Sequence, residues 1–149
     1  MNYCERKEDL FEFYSKNMNF ILIQCISSDF EMVAGIAVQF NKVFNCKNIA
    51  KRFYIQYWEY KGTILPLLNH NAPVINLITK QYYFNKPTYK TMEESLLELK
   101  NYVVNNNIKS LAMPKIGCGI DKLQWGKVRD LIQRIFEELD IDITVCYIR

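Results

Sequence analysis

The sequence predicts an α/β protein, a three-layer α/β/α sandwich around a mixed, mostly parallel central sheet. Two observations predict this fold class. Short apolar runs, typical of strands that are buried on both faces, recur along the chain. Between these runs lie longer stretches whose apolar residues repeat every three or four positions, as they do in amphipathic helices. Strands that alternate with helices favour a parallel sheet with helices on both faces.

The predicted strands differ in how clearly the sequence marks them. The run at residues 20–26 is almost continuously apolar, which predicts a central strand. Residues 73–79 and 110–113 have the same character, and the β-branched residues of 142–148 predict a last strand. Residues 2–6 and 62–67 are weaker strand candidates.

Four helices are predicted between these strands. The first begins at about Gly35 and continues through Phe44, and a second lies around residues 48–56. The third and fourth, the latter beginning near Gln124, are defined by apolar residues at helical spacing: Met92, Leu96, Leu99 and Val103 in one, and Val128, Leu131, Ile132, Ile135 and Phe136 in the other.

Length and composition indicate one domain, residues 1–149, that folds alone as a monomer. The chain is 50% hydrophobic and 23% charged, with a net charge of +3 that is spread along the sequence. This balance gives no reason to expect nucleic acid as the main partner. No segment approaches the roughly 18 consecutive apolar residues that a membrane span needs, and the N-terminus lacks the apolar stretch of a secretory signal. A cytoplasmic location is therefore expected.

The cysteines give no sign of a metal site or a disulfide framework. There are five of them, an odd number, and no pair has CxxC spacing. We expect reduced thiols, no metal and no cofactor.

Two glycine-bearing loops are predicted where strands end and helices begin, the place where α/β proteins bind ligands. The first, residues 32–37, precedes a helix whose N-terminal N–H groups favour an anion, although a glycine that allows tight packing would explain it equally well. The second, residues 114–121, has two glycines around Cys118 and ends at Asp121. A sharp turn with Asp121 as the helix N-cap is the alternative. Neither loop has the Walker or the GxGxxG pattern.

Five segments together resemble one family: residues 25–29, 34–37, 77–80, 86–89 and 113–125. They are similar to the terminal ADP-ribose protein glycohydrolases, a lysine-dependent branch of the macrodomains. The resemblance spans nearly the whole chain. Its most specific part is the segment Met-Pro-Lys-Ile-Gly-Cys-Gly-Ile-Asp-Lys-Leu-Gln-Trp, which agrees with the family in residue type and order.

This resemblance implies an enzyme that binds ADP-ribose and mono-ADP-ribosylated proteins. It would remove ADP-ribose from glutamate and aspartate side chains and would also deacylate O-acyl-ADP-ribose. Lys80 would attack the anomeric carbon of the distal ribose, and Asp121 would act as the base. Without the motif, Lys80 would be interpreted as a strand-end lysine exposed to solvent and Asp121 as a helix cap.

The resemblance also implies which residues bind the substrate. Asp9 would contact the adenine, Leu10 and Ile148 would border the nucleotide, and Ser27 would lie on the ligand wall. The two loops would hold the diphosphate and ribose through Ala34, Gly35, Ile36, Lys115, Ile116, Gly117, Cys118, Gly119 and Ile120.

Two departures from the family and two alternative functions accompany this prediction. Val33 and Glu8 stand where the family usually has glycine, and the branched side chain of Val33 disfavours a positive φ and adds bulk near the distal ribose. A module that binds ADP-ribose without cleaving it needs no Lys80. A hydrolase of ADP-ribosylated thymidine in DNA also uses a strand-end lysine, but that branch usually has glycine in place of Asp121.

Aromatic residues gather in two segments whose interpretation stays open. Phe53, Tyr54, Tyr57, Trp58 and Tyr60 could stack bases, although packing against the sheet is the favoured interpretation. Tyr82, Tyr83 and Phe84 follow Lys80 directly and could line the mouth of the substrate site.

Overall fold

A computed structural model of the chain describes residues 1–54, 60–119 and 121–148. Strands and helices alternate along most of this length. In chain order the elements are β1 (Asn2–Lys7), α1 (Leu10–Lys16), β2 (Ile21–Ser27), α2 (Ile36–Phe44), α3 (Cys46–Tyr54), β3 (Ile64–Pro66), β4 (Val74–Lys80), α4 (Tyr89–Asn105), β5 (Ser110–Met113), α5 (Trp125–Phe136) and β6 (Asp142–Tyr147).

The strands form one mixed sheet in the order β1-β6-β5-β2-β4-β3. All neighbouring strands are parallel except β3, the edge strand that pairs antiparallel with β4. The apolar run predicted as a central strand is β2, which lies between β5 and β4. The carboxyl ends of β2, β4 and β5 therefore meet at one edge of the sheet, which is where a ligand site is expected.

Helices cover both faces of the sheet and divide the core in two. Buried residues of α4 and α5, including Met92 and Ile132, pack with Ile23 and Leu77 on one face. Buried residues of α1, α2 and α3, including Phe13 and Phe40, pack with Leu22 on the other face. Alternate residues of β2 thus point to opposite layers. The predicted three-layer fold is confirmed.

The helix α1 is absent from the elements that the sequence pattern predicted. Asp9 caps it by accepting hydrogen bonds from the backbone N–H groups of Phe11 and Glu12, both at 3.1 Å. Leu10 and Phe13 are its buried residues. An aspartate followed by apolar residues three positions apart is a recognisable helix start, but a helix this short gives little periodicity to detect.

The helix predicted around residues 48–56 begins earlier, at Cys46, and is described as far as Tyr54. Its last predicted residues lie outside the described part of the chain, as do Tyr57 and Trp58 of the aromatic cluster. Within that cluster Phe53 stacks on His70 with ring centroids 4.2 Å apart, which is packing within the protein. Across the described ranges, every helix is too short or too polar to cross a membrane.

Candidate active site

A cavity of about 310 Å³ lies at the carboxyl edge of the sheet. Its walls come from the end of β2 and the loop that leads into α2, from the end of β4, and from the loop between β5 and α5. Its volume is at the lower end of the range for small-molecule sites. The fold thus brings both glycine-bearing loops to one cavity.

The loop between β2 and α2 ends in a helix N-terminus that is open to a ligand. Gly35 is the N-cap of α2, with φ 65° and ψ −151°, a conformation that glycine adopts without strain. No acidic residue lies in the first turn of α2. The N–H groups at Ile36 and Ala37 are therefore placed to bind an anion with the favourable end of the helix dipole.

Asp29 fixes this loop against the end of β4. Its carboxylate accepts hydrogen bonds from the Ser27 hydroxyl at 2.5 Å and from the backbone N–H groups of Glu31 at 3.1 Å and Tyr83 at 2.9 Å. Phe30 and Met32 both have a positive φ, of 56° and 45°. Side chains other than glycine seldom adopt this conformation, so the Asp29 contacts hold a strained segment in place.

The loop between β5 and α5 turns tightly at Gly117. This residue has φ 72°, and a Cβ at its position would lie 2.7 Å from the Met92 side chain. The backbone N–H of Leu123 donates to the Gly117 carbonyl at 2.8 Å. Nearby, the Lys115 ammonium lies 4.3 Å from the ring centroid of Tyr147, so this cation packs on an aromatic face.

Lys80 and Asp121 form an ion pair in the cavity wall. The distance between Lys80 Nζ and Asp121 Oδ1 is 2.7 Å, although the two residues are 41 positions apart in the chain. Both side chains are largely shielded, with 12% and 15% exposed. The register between β2 and β4 shifts where Ser27 pairs with Lys80. The backbone N–H of Ser28 donates to the Lys80 carbonyl at 2.9 Å. This irregularity fixes the backbone of Lys80 at the sheet edge.

The helix-cap interpretation of Asp121 is wrong. The N-cap of α5 is Gln124, three positions further along, and its side chain makes no capping hydrogen bond. The backbone N–H of Gln124 instead donates to the Tyr89 hydroxyl at 3.0 Å. Asp121 is therefore free of a capping role and its carboxylate is directed to Lys80.

Two thiols near this pair remain protonated at neutral pH. Burial raises the pKa of Cys25, which lines the cavity, and the negative charge of Asp121 raises it further. Burial also raises the pKa of Cys118 to about 11. Because the thiolate is the nucleophilic form of cysteine, neither thiol competes with the Lys80 amine.

The structure brings most of the predicted site residues together. Those that line the cavity are Ser27, Ala34, Gly35, Ile36, Lys80, Lys115, Ile116, Gly117, Gly119 and Asp121. Ile120 lies outside the described residues. Val33 also lines the cavity, but the positive φ values in its loop belong to Phe30, Met32 and Gly35, so the expected backbone strain does not fall on Val33.

Four predicted residues lie elsewhere than on the cavity wall. Asp9 caps α1, Leu10 is buried in the core, Cys118 donates to the carbonyl of Ile116 at 3.3 Å, and Ile148 is 65% exposed beyond the end of β6. Leu10 has its side chain in the core because α1 needs an apolar face against the sheet. Their contact with the nucleotide stays a prediction.

Asp29 was not identified as part of the site, whereas Met32 belongs to the predicted loop at residues 32–37 and Tyr83 to the aromatic segment that could line the mouth. Met32 and Tyr83 line the cavity and Asp29 connects their two loops. A second cavity of about 270 Å³ was not predicted either; Lys80 lies on its wall together with Lys61 and Glu94. Tyr83 has one sequence signal, its position three residues after Lys80. Within the described ranges, no group of three His, Cys, Asp or Glu side chains is placed to hold a metal.

This fold and cavity place the chain in a known class of proteins. The model of the Macro domain family matches residues 23–132, and the chain belongs to that family. Among curated proteins it is 39% identical to the ADP-ribose glycohydrolase OARD1 of Bos taurus and to that of Homo sapiens, over 83% of this chain and 79% of each relative. The resemblance inferred from the motifs is thereby confirmed.

Solved structures show the same fold. The macrodomain of Thermus aquaticus DarG superposes with a TM-score of 0.74 and 21% identity, covering 97% of both chains. A Thermosipho africanus DarTG structure in complex with ADP-ribose superposes with a TM-score of 0.70 and 20% identity, covering 98% of this chain and 41% of that one. At this identity the likeness concerns the fold alone.

Proposed function

We propose that this chain is an ADP-ribose glycohydrolase that removes mono-ADP-ribose from glutamate and aspartate side chains and deacylates O-acyl-ADP-ribose. The observation that carries the proposal is the 2.7 Å contact between the Lys80 amine and the Asp121 carboxylate in the cavity wall. A nucleophile within hydrogen-bond reach of a base is the arrangement that covalent catalysis requires. Relatives named as ADP-ribose glycohydrolases, 39% identical to this chain, support the same activity.

The cavity offers groups for each part of the substrate. The N-terminus of α2 and the backbone of the Gly117 loop would bind the diphosphate through their backbone N–H groups. At α2 no acidic residue lies in the first turn to repel the anion. The distal ribose would then lie toward Lys80. Binding at the two loops supplies affinity, and the lysine supplies the reactive step.

The chemical step begins with a proton transfer. Lys80 must lose a proton before it can attack, and Asp121 is in direct contact to accept it. The amine nitrogen then forms a bond to the anomeric carbon of the distal ribose, and the bond from that carbon to the acceptor carboxylate breaks with its electron pair. Opening of the sugar ring gives an imine. Water hydrolyses this imine to release ADP-ribose and restore the amine.

One experiment separates this function from its alternatives. The protein is incubated with mono-ADP-ribosylated protein, with O-acetyl-ADP-ribose and with ADP-ribosylated single-stranded DNA, and the release of ADP-ribose is measured for each. We expect release from the first two. Release from DNA alone would indicate the DNA hydrolase, and binding of free ADP-ribose without any release would indicate a module that only binds.

A second experiment tests the lysine adduct. Borohydride reduces an imine to a stable amine, so adding it during turnover should attach ADP-ribose covalently to Lys80. Peptide mapping by mass spectrometry locates the adduct. Trapping at other lysines only, or no trapping while hydrolysis proceeds, contradicts the imine.

A further inference from the structure

The turn that follows Lys80 presents three exposed aromatic side chains. Tyr82, Tyr83 and Phe84 are 36%, 50% and 68% exposed, and we call residues 82–84 the aromatic turn. Single exposed apolar residues are ordinary, but three consecutive large rings beside a cavity form a patch. Such patches on soluble domains commonly mark a surface that another molecule covers.

The aromatic turn is held in a defined conformation. The backbone N–H of Tyr82 donates to the Asn85 side chain at 2.8 Å, and the N–H of Asn85 donates to the Tyr82 carbonyl at 2.9 Å. Asp29 accepts from the Tyr83 N–H at 2.9 Å. The rings of Tyr82 and Phe84 stack with centroids 5.4 Å apart and an interplanar angle of 4°. The rings are thus displayed in fixed positions without being buried in the core.

The position of the aromatic turn relates it to the acceptor half of the substrate. Tyr83 lines the same cavity as Lys80, three residues away. The acceptor is bonded to the carbon that Lys80 attacks, and a polypeptide cannot enter a cavity of about 310 Å³ that also takes ADP-ribose. A modified protein must therefore lie outside the mouth, against the exposed residues next to Lys80.

We propose that the aromatic turn binds the polypeptide that surrounds the modified carboxylate and so makes the enzyme prefer protein-linked ADP-ribose over small esters. This inference rests on the proposed function. Rigid exposed rings contribute much contact area at little entropic cost, which is why aromatic residues dominate protein interfaces. Lys80 and Lys86 flank the aromatic turn, so its charge does not distinguish a protein acceptor from DNA. The choice of a protein acceptor follows from the proposed function, and DNA is an outcome of the test below.

The test is the ratio of kcat/KM for a mono-ADP-ribosylated protein to kcat/KM for O-acetyl-ADP-ribose, whose acetyl group is too small to reach Phe84. We expect Phe84→Ala to lower this ratio roughly tenfold, the effect of losing one well-placed aromatic contact. The matched control is Leu97→Ala, since Leu97 is 46% exposed on α4 and should leave the ratio unchanged. An unchanged ratio for Phe84→Ala, or an equal loss for both substrates, overturns the proposal.

Two further arms keep the result decisive. In a Lys80→Ala background, the same ratio is taken between the Kd values for modified protein and for free ADP-ribose. This measurement tests the binding surface even if the wild-type protein has no hydrolase activity. A Phe84→Ala effect on ADP-ribosylated single-stranded DNA but not on protein overturns the choice of acceptor. Glu94 lines the second cavity. If Glu94→Arg lowers kcat/KM for the modified protein and Phe84→Ala does not, the acceptor binds at the second cavity and the proposal is overturned.

Discussion

Two carboxylates of this molecule, Glu5 and Asp121, differ in the hydrogen-bond donors that contact them. One oxygen of Glu5 accepts hydrogen bonds from the Tyr3 hydroxyl at 2.7 Å, the Trp125 indole at 3.1 Å and Arg129 at 3.3 Å. Asp121, in the part of the chain that the structure describes, contacts the Lys80 amine. Glu5 joins β1 to α5, whereas Asp121 faces a cavity.

The difference separates a structural carboxylate from one suited to proton transfer. Partial burial by itself raises the pKa of the Glu5 carboxyl, but the three hydrogen bonds and the positive charge of Arg129 outweigh it and hold that pKa below its usual range. Because these contacts stabilise its charged form, the Glu5 carboxylate is a poor proton acceptor. Asp121 instead pairs with a lysine that must give one up. Loss of Asp121 should affect chemistry, and loss of Glu5 should affect stability.

The largest effect is expected for Lys80→Ala. Without the amine no covalent adduct forms, so kcat should fall at least about a thousandfold, while ADP-ribose binding persists through the two loops. Release of ADP-ribose and calorimetric binding measure the two properties. Lys90→Ala removes an exposed lysine of α4 as a control. Turnover by Lys80→Ala at the wild-type rate would disprove the mechanism.

Asp121→Asn should lower kcat by on the order of a hundredfold or more, the usual scale for loss of a general base. Asparagine keeps the shape of the side chain but cannot accept the proton of Lys80. Because Gln124 and not Asp121 caps α5, the melting temperature should change by only a few degrees. Thermal unfolding, ADP-ribose binding and turnover are measured together. A folded variant that binds ADP-ribose and turns over normally would leave Asp121 without a catalytic role.

Glu5→Gln should show the opposite division, with turnover within about twofold of the wild type and a loss of about 1 kcal/mol in the free energy of unfolding at pH 7. Since the pKa of Glu5 is lowered on folding, its contribution is present above the ordinary value of about 4.3 and is lost as the pH falls through the lowered value. The free energies of unfolding of the wild type and Glu5→Gln in urea, measured from pH 7 downward, should therefore converge as the pH falls below the lowered pKa.

The control for this measurement is Glu93→Gln. Glu93 contacts Arg134 at 3.1 Å, but its side chain is 41% exposed and that of Arg134 63%, against 23% for Glu5. Exposed pairs contribute about 0–1 kcal/mol. Equal losses from the two substitutions at pH 7, or a Glu5→Gln loss that does not shrink as the pH falls below the ordinary value of about 4.3, would remove the distinction between Glu5 and an ordinary surface carboxylate.

The sequence predicted those features that depend on local pattern. Four of the six strands, β2, β4, β5 and β6, fall where apolar or β-branched runs lie, and α4 and α5 follow their helical spacing. The strands β1 and β3 lie at the two weaker candidates, and β1 is largely polar. The meeting of Lys80 and Asp121 followed from topology, because loops after parallel strands share one sheet edge. The family resemblance selected those two residues from among other lysines and acids.

Features that depend on tertiary contacts could not be predicted in the same way. The helix α1 is short, and its stability comes from Leu10 and Phe13 in the core. The contacts of Asp29 with two loops, and the choice of Gln124 as the N-cap, follow from where distant segments meet. The same is true of the loop before α2, where Met32 has a positive φ and Val33 does not.

The smallest expected effect concerns this residue. Val33 is 52% exposed and lines the cavity, so its branched side chain occupies space near the proposed ribose position while its backbone is unstrained. Val33→Gly should raise kcat/KM for O-acetyl-ADP-ribose by about threefold, which corresponds to under about 1 kcal/mol. It should also lower the free energy of unfolding by about 0.5–1 kcal/mol, because glycine gains freedom in the unfolded chain.

Val33→Ala removes most of the bulk and adds little flexibility. If bulk is the limit, Ala should give most of the gain in kcat/KM. A gain with Gly and none with Ala would place the limit in loop flexibility, and a loss with both would show that Val33 contributes a favourable contact to the substrate.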